Sequence, residues 1–344
     1  MTTVNGTGDL GQASFTLVGI PGLEAFYFWI GVPLCLVYVV TLVGNITVVL
    51  VVRMEPELHK PMYLFFCMLA MNDLLLSTTV LPKMLGILWA GSREIGFSSC
   101  LLQMYFVHTL SIVDSAILLA MALDRYVAIC HPLHYATILS NAVVAKMGLA
   151  AAGRGVILCV PGPVLLKRLP YCFHKVIQHA YCEHMAVVKL VTCADTFINR
   201  TYGISLALFV VGLDLGFIAT SYAMILHAVF QLSSRDAQAK ALGTCAAHTC
   251  IILTFYVPGL FTFLTHRIGK NVPAYIHILL ASLYVLLPPM LNPLVYGIKT
   301  QQIRRRVLGL FHQGERRICS PGSSETREGV KAGPDSRHGP STEL

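Results

Sequence analysis

Seven long apolar stretches, separated by short polar segments, dominate the pattern of this sequence. They cover roughly residues 26–52, 61–90, 98–123, 142–166, 201–231, 241–265 and 272–298. Each is longer than the about 20 residues that a helix needs to cross the hydrocarbon layer of a bilayer. The alternation with a period of two that marks membrane strands is absent. The pattern therefore predicts an all-α membrane protein with a seven-transmembrane helix bundle.

The polar segments at the two ends complete the predicted organisation. Residues 1–25 form an N-terminal segment that precedes the transmembrane domain at 26–298. Over residues 299–312, apolar positions alternate with the basic run 304–306, which is typical of a short amphipathic helix on a membrane surface. Residues 313–344 are rich in Gly, Ser, Pro, Glu and Arg without apolar periodicity. We expect this tail to be disordered.

The composition excludes a water-soluble enzyme. Hydrophobic residues make up 55% of the chain and charged residues only 12%, against about 25% charged residues in an ordinary globular domain. No nucleophile–base constellation or glycine-rich phosphate loop is visible in the sequence. The net charge of +8 is interpreted as attraction to a membrane surface, because no basic patch carries the interleaved aromatics of a nucleic-acid site.

The distribution of basic residues predicts the orientation in the plasma membrane. Residues 1–52 contain no Lys or Arg, whereas the segment after the last span carries the run 304–306. By the positive-inside rule the N-terminus is extracellular and the C-terminus cytoplasmic, with the first span as an uncleaved signal anchor. The sequon at Asn5 then lies outside and is a predicted glycosylation site. A second sequon at Asn45 falls inside the first span, and a third at Asn199 lies at a membrane edge.

Four of the eleven cysteines lie on the predicted outer side. Cys100 begins the third span, and Cys172, Cys182 and Cys193 lie in the external segment 167–200. Thiols in an oxidising compartment tend to pair. We expect a Cys100–Cys182 disulfide that ties the loop to the third span and a Cys172–Cys193 disulfide within the loop; free thiols are the alternative. No CxxC pair is present, so zinc is not expected.

Several polar residues lie where the membrane makes them costly. Asp73 and Asp114 sit in the middle of the second and third spans, with Asn45 and Asn292 at similar depth. Two carboxylates in a medium of low dielectric constant cannot both stay charged without a partner. The pair is therefore either a cation site or a hydrogen-bonded structural pair with one carboxyl protonated.

At the end of the third span, the run Met121–Cys130 places Asp124 beside Arg125. This run and several others resemble an olfactory receptor of the rhodopsin-like G-protein-coupled class. The other matching motifs are Leu42-Val-Gly-Asn45, Pro61-Met-Tyr-Leu-Phe-Phe66, Ser221-Tyr222, Lys240-Ala-Leu-Gly-Thr-Cys-Ala-Ala-His248 and Pro289-Met-Leu-Asn-Pro-Leu-Val-Tyr296. The class I, or fish-like, branch is resembled by Gly19-Ile-Pro-Gly-Leu23, Cys182-Glu-His-Met-Ala-Val-Val-Lys-Leu190 and Tyr296-Gly-Ile-Lys-Thr300.

The resemblance implies an activation switch and an ion site. Asp124 would hold Arg125 in the resting state and release it to a G protein, with Tyr222 and Tyr296 closing in. The implied switch residues are Asp124, Arg125, Tyr126, Tyr222, His248, Tyr256, Asn292, Pro293 and Tyr296. A lone Arg snorkelling to the interface and a structural core histidine at position 248 are the alternatives. The resemblance also implies a sodium ion between Asp73 and Asp114, although this branch often has the longer Glu at the second position.

Helical spacing predicts the ligand pocket. Tyr256, Leu260, Phe263 and Arg267 share one stripe of the sixth span, and the stripe ends in a guanidinium suited to a carboxylate. The predicted polar contacts come from His108 and Ser111 on the third span and His184 just after Cys182, and the apolar contacts from Leu206, Val210, Leu260 and Phe263. An interface anchor is the alternative for Arg267, and a structural role is the alternative for each histidine. Arg154, inside the fourth span, is assigned only a structural partner.

Together these features predict an odorant receptor, not an enzyme. The resemblance implies a small carboxylic acid or related polar aliphatic ligand and a stimulatory G protein that raises cyclic AMP. An amine ligand is disfavoured, because aminergic relatives carry an acid near the outer third of the third span and residues 105–109 contain none. One alternative is the same kind of receptor working outside the nose on metabolite acids or steroids. A more distant one is an ion-coupled transporter or channel, against which no inverted repeat is visible. No cofactor is expected beyond the sodium ion.

Overall fold

The computed structural model describes residues 14–169, 175–190, 194–268, 273–299 and 303–306. Some predicted features lie outside these residues: the sequon at Asn5, the Cys172 and Cys193 pair, and the tail at 313–344. The backbone of the sixth span is described to Ile268, but the side chains of Phe263 and Arg267 also lie outside the described set.

Helices account for most of the described chain, and seven of them are long and apolar enough to cross a membrane. In chain order the elements are β1 (Ser14–Leu17), α1 (Tyr27–Met54), α2 (Pro61–Ala90), β2 (Glu94–Gly96), α3 (Phe97–Cys130), α4 (Tyr135–Ile138), α5 (Asn141–Cys159), α6 (Pro161–Lys167), β3 (Val176–Ile177), α7 (His184–Val188), α8 (Phe197–Phe230), α9 (Arg235–Ile268) and α10 (Ala274–Lys299). The prediction of a seven-helix membrane bundle is confirmed.

Local sequence signals explain where several spans begin and end. Pro61 opens α2 at a position where its missing N–H costs no hydrogen bond, and Gly91 ends the helix with φ +62°. Ser140 caps α5 by accepting a hydrogen bond from the Val143 N–H at 3.4 Å. The fourth span continues from α5 into α6 at Pro161. The third span runs past the apolar stretch to Cys130, so Asp124 and Arg125 stand on a continuous helix.

A small three-stranded sheet was not anticipated from the sequence. β1 lies in the middle and pairs antiparallel with β2 and parallel with β3. Phe15 and Leu17 are buried, at 3% and 0% exposure, so the segment before α1 is part of the core rather than a free terminus. The strand is only four residues long, which is too short for alternation to be recognised in the sequence.

The Tyr27 hydroxyl fixes the chain between the sheet and α1. Its oxygen accepts a hydrogen bond from the Ile20 N–H at 3.0 Å, and it lies 3.0 Å from the Val18 carbonyl, to which it donates. Gly19 adopts φ +84°, and a Cβ there would lie 2.7 Å from the Tyr27 oxygen. Only glycine therefore suits this turn, which folds the segment down onto the bundle.

The two ends of the bundle are distinguished by their chemistry. A disulfide between Cys100 and Cys182, as expected from the sequence, joins the loop after the fourth span to the start of α3 with a Cα–Cα distance of 5.4 Å. We call this the disulfide end and the opposite end, at the last turns of α3, the Asp124 end. At the Asp124 end, residues 303–306 are helical, Ile303 is buried, and Arg306 pairs with Glu55 at 2.6 Å.

Burial rules out two of the three sequons. Asn45 and Asn199 are 1% and 3% exposed. An amide nitrogen shielded to this extent cannot accept a glycan, so neither sequon is a glycosylation site in the folded protein. Asn5 stays a prediction from the sequence.

We expect Tyr27→Phe to lower the stability of the protein. The phenylalanine keeps the ring but leaves the Ile20 N–H and the Val18 carbonyl without their partner, at a cost of about 1–3 kcal/mol. The thermal unfolding midpoint of the detergent-solubilised protein measures the loss. Tyr38→Phe is the matched control on the same helix, because its hydroxyl makes an exposed hydrogen bond to Thr78. Equal midpoints for the two variants would contradict this role of Tyr27.

Candidate functional site

The structure brings two predicted ligand residues together at the disulfide end. His184 is the first residue of α7, whose N-terminus is capped by Glu183 accepting from the Ala186 N–H at 2.7 Å. Its ring lies 6.2 Å from that of His108 on α3, centroid to centroid and edge to face. Gly203 on α8 makes room for the His184 ring, because a Cβ there would lie 3.1 Å from it. The disulfide, the short helix and α8 together position the pair.

Both imidazoles keep a buried nitrogen for which the described residues offer no hydrogen-bond partner. These atoms are Nε2 of His108 and Nε2 of His184. Burial, and then the charge of neighbouring His108, lower the pKa of His184 to about 4. His184 is therefore neutral at pH 7, with one N–H donor and one acceptor nitrogen. Buried polar atoms are nearly always paired in proteins, so two spare nitrogens at one place indicate a site for a polar group.

The remaining predicted pocket residues are more scattered. Val210 is buried with Ile112 and Cys159, and Leu206 packs against this cluster. The Ser111 hydroxyl donates to the Val107 carbonyl of its own helix at 2.8 Å. Leu260 is 38% exposed. The structure thus places the α8 residues beside α3 and α5, but it does not bring Leu260 into the same cluster.

A buried ion pair that was missed in the sequence lies deeper in the bundle. Arg154 on α5 donates two hydrogen bonds to Asp214 on α8, from Nη1 to Oδ1 at 2.8 Å and from Nη2 to Oδ2 at 2.6 Å. Asp214 is fully buried, and the Arg154 side chain is 23% exposed. The sequence did carry a signal, because a charge inside a membrane span needs a partner of opposite sign.

This ion pair extends into a network that joins four helices. The Ser115 hydroxyl on α3 donates to Asp214 Oδ2 at 2.5 Å, and it lies 2.8 Å from the hydroxyl of Tyr256 on α9. Tyr256 belongs to the stripe of the sixth span that its spacing placed at the pocket. The network connects the floor of that region to α5 and α8, so a shift of α9 at Tyr256 changes the surroundings of a buried charge.

The two predicted carboxyls at mid-span form a second polar cluster. The Asn292 amide donates to Asp73 Oδ2 at 2.9 Å, and the Asn72 amide donates to Asp114 Oδ1 at 2.6 Å. Asp73 Oδ1, Asp114 Oδ2 and Asn292 Oδ1 are buried and have no hydrogen-bond partner in the described part of the chain. Because hard cations are bound by oxygen atoms, these residues fit a sodium ion. Asn292, expected in the switch, belongs to this cluster.

The first and last spans are held close together beside this cluster. The Asn45 amide donates to the Pro289 carbonyl on α10 at 2.9 Å. Gly44 lets α1 approach Pro293, because a Cβ at Gly44 would lie 2.9 Å from the Pro293 ring. The predicted switch residue Pro293 is therefore a packing residue in this state.

At the Asp124 end, the predicted ion pair is formed. Arg125 Nη2 and Nε donate to Asp124 Oδ2 at 2.5 and 3.0 Å. The Tyr135 hydroxyl on α4 donates to Asp124 Oδ1 at 2.7 Å. Burial, followed by the negative charge of Asp124, raises the pKa of Tyr135, which keeps the hydroxyl protonated as a donor. Tyr135 was not anticipated, because its contact depends on how the loop after α3 folds.

The other switch residues lie around this pair without bonding to it. The Tyr222 hydroxyl is 2.8 Å from His248 Nδ1. Tyr296 stacks on Phe66 with ring centroids 3.7 Å apart, and the Tyr126 hydroxyl lies 3.3 Å from His131 Nε2. Tyr222 and Tyr296 thus have other partners while Arg125 is held by Asp124, which matches the resting arrangement.

A seven-helix membrane bundle with this ion pair at one end and a loop disulfide at the other defines a rhodopsin-like receptor. Residues 34–314 match the family model described as olfactory receptor. Human olfactory receptor 52P1 is 54% identical over 307 residues, which cover 89% of this chain and 95% of that receptor. Human olfactory receptor 52D1 is 54% identical over 306 residues (89% and 96%), and mouse olfactory receptor 51E2 is 50% identical over 300 residues (87% and 93%).

The chain belongs to the olfactory receptor family. It is therefore a multi-pass plasma-membrane receptor and not an enzyme. Family membership also removes the ion-coupled transporter or channel that the two intramembrane carboxyls left open.

The Arg154–Asp214 pair generates a prediction about stability. We expect Arg154→Met to cost about 3–5 kcal/mol, because it leaves Asp214 as an unpaired buried charge. Asp214→Asn should cost less, since the Arg154 side chain is partly exposed. The double variant should unfold at a higher temperature than the sum of the two single losses implies. Thermal midpoints in detergent measure all three, with exposed Lys146→Met on the same helix as the control. Strictly additive losses would show that the two side chains do not interact.

Proposed function

We propose that this odorant receptor binds a small carboxylic acid, or a related polar aliphatic molecule, at the disulfide end. The observation that carries the proposal is the pair of buried imidazoles, His108 and His184, each with a spare Nε2. A ligand with a compact polar head would satisfy these nitrogens, and a short apolar tail would lie against the Leu206 and Val210 cluster. Arg267, which helical spacing puts on the same stripe of the sixth span as Tyr256, would supply the positive charge that a carboxylate prefers.

A neutral His184 suits this ligand class. At pH 7 the His184 ring offers an N–H to a carboxylate oxygen without adding a second full positive charge to the site. The guanidinium of Arg267 then neutralises the acid, and the histidines set its direction.

The proposed signal is passed to a stimulatory G protein, which raises cyclic AMP. Ligand contact with α9 changes the Tyr256–Ser115–Asp214 network, and α9 also carries His248 near the Asp124 end. Release of Arg125 from Asp124 would free its guanidinium for the G protein, while Tyr222 and Tyr296 exchange partners. This is a two-state element whose balance a ligand shifts.

The orientation follows from this assignment and from the charge pattern. The disulfide end, with the N-terminus, faces the extracellular side, and the Asp124 end, with the basic run 304–306, faces the cytoplasm.

We expect Arg267→Ala to raise the half-maximal concentration of an active aliphatic acid by about tenfold or more, because a charge-assisted hydrogen bond contributes about 1.5–3 kcal/mol. The measurement is cyclic AMP in reporter cells given straight-chain acids of increasing length, normalised to surface expression. Arg168→Ala, which removes an exposed arginine at the end of the fourth span, is the matched control. Equal responses from the unaltered receptor and Arg267→Ala would show that Arg267 does not anchor the carboxylate. A response that persists without the G protein would show that the receptor does not act through it.

We also propose that Asp73 and Asp114 hold a sodium ion, with Asn292 contributing an oxygen. Sodium should raise the thermal midpoint of the purified receptor by the equivalent of about 1–3 kcal/mol, relative to choline at the same ionic strength. Asp73→Asn should abolish this difference, whereas Asp195→Asn, at a loop position, should preserve it. A sodium effect that survives in Asp73→Asn would show that the ion is bound elsewhere or not at all.

A further inference from the structure

An apolar cavity lies between α1, α2 and α10, away from the histidine pair. Its volume is about 110 Å³. Ile20, in the segment before α1, closes it at the disulfide end, and Val37 on α1, Met84 on α2 and Met290 on α10 are among its walls. None of its lining residues comes from α3, α8 or α9, so it is separate from the region of His108 and His184.

The chemistry of the walls excludes a polar occupant. All lining residues except Ser282 are apolar, and none is charged. The Ser282 hydroxyl donates to the Ile278 carbonyl of its own helix at 2.7 Å, so its donor is already used. A water molecule needs two to four polar partners to enter a cavity. The cavity therefore favours a dry, apolar guest.

Contacts around the cavity fix the positions of its walls. Above it, the Tyr27 hydroxyl holds the Ile20 backbone. Below it, the Asn45 amide ties α1 to the Pro289 carbonyl of α10. On the α2 side, Trp89 packs on Gly31, and a Cβ at Gly31 would collide with its ring. Protein interiors normally close such gaps, and these three attachments explain why this one persists.

The cavity is reached from the outer surface of the bundle. Leu279 and Leu283 line it and are 36% and 50% exposed. Both belong to a membrane-spanning helix, so their exposed faces lie against hydrocarbon. A solute that partitions into the bilayer thus reaches the cavity without passing through the aqueous mouth of the receptor.

We propose that this cavity is a second binding site, for a compact uncharged hydrocarbon of about one aromatic ring. An apolar cavity of about 150 Å³ in a soluble protein is known to stay dry and to bind benzene or xenon, and this one is of comparable size. A lipid acyl chain can reach the same opening, but a whole chain is too long for a cavity of this volume, so a compact guest fills it better.

The experiment uses the full-length receptor in nanodiscs with ¹³C-methyl-labelled methionine, and toluene as the probe. Met84 and Met290 line the cavity, whereas Met121 is fully buried against Tyr296 at the Asp124 end. We expect toluene to shift the signals of Met84 and Met290 saturably and to leave that of Met121 unchanged. The absence of a saturable shift, or an equal shift at all three methyl groups, would overturn the proposal.

Two variants of α1 make the site assignment specific. Val37→Phe fills the cavity, while Val39→Phe places the same side chain at a position that is 48% exposed and does not line it. We expect Val37→Phe to weaken toluene binding by about tenfold or more, since a filled cavity has no room for the guest, and Val39→Phe to bind as the unaltered receptor does. Equal binding by both variants would place toluene elsewhere. A contact between the Met84 methyl and lipid methylene protons that persists at saturating toluene would show that an acyl chain is the occupant.

Discussion

The absence of water from the membrane interior is the constraint on which this structure depends. A polar group between the helices has no solvent to turn to, so it must find a partner on another helix or remain available for a ligand. Three contacts meet this requirement: the Arg154–Asp214 pair, the Asn45–Pro289 contact and the Asn292–Asp73 contact. Each joins two different spans and adds a directional contact to the apolar packing between the helices.

The same constraint separates structural polar atoms from functional ones. Where both oxygens of a carboxylate are bonded to another helix, as those of Asp214 are to Arg154, the group holds helices together. Atoms without a partner in the described residues, as at His108 Nε2, His184 Nε2, Asp73 Oδ1 and Asp114 Oδ2, are the ones to which we assign a ligand or an ion in our proposals. The two histidine nitrogens lie at the disulfide end, and the two carboxyl oxygens lie at mid-span. The cavity lined by Met84 is the apolar counterpart, because there the walls lack a neighbour and not a hydrogen bond.

The seven spans were predictable because their signal is length, which needs no knowledge of neighbouring helices. The Cys100–Cys182 disulfide and the Asp124–Arg125 pair were also accessible, since each depends on compartment or on adjacency in the chain. Contacts between spans were harder to predict. Asp214 meets Arg154 across 60 positions, and their meeting depends on the rotation of α5 and α8, which composition does not report. The pocket role of Leu260 stays a prediction, because a shared helical stripe does not by itself define a pocket. The sheet around β1 was missed because four residues carry too little periodicity.

The buried strand before α1 has a practical consequence for handling this receptor. Ser14–Leu17 and the turn at Gly19 are interior parts of the domain, gripped by Tyr27 and by strands from two loops. A leader peptide, epitope tag or fluorescent label therefore has to be attached ahead of residue 14. Shortening the terminus beyond that point would remove the wall that Ile20 provides and expose the apolar ends of α1, α2 and α10 to solvent. Trafficking failures in trimmed versions of such a protein would then reflect an unfinished domain and not a missing address signal.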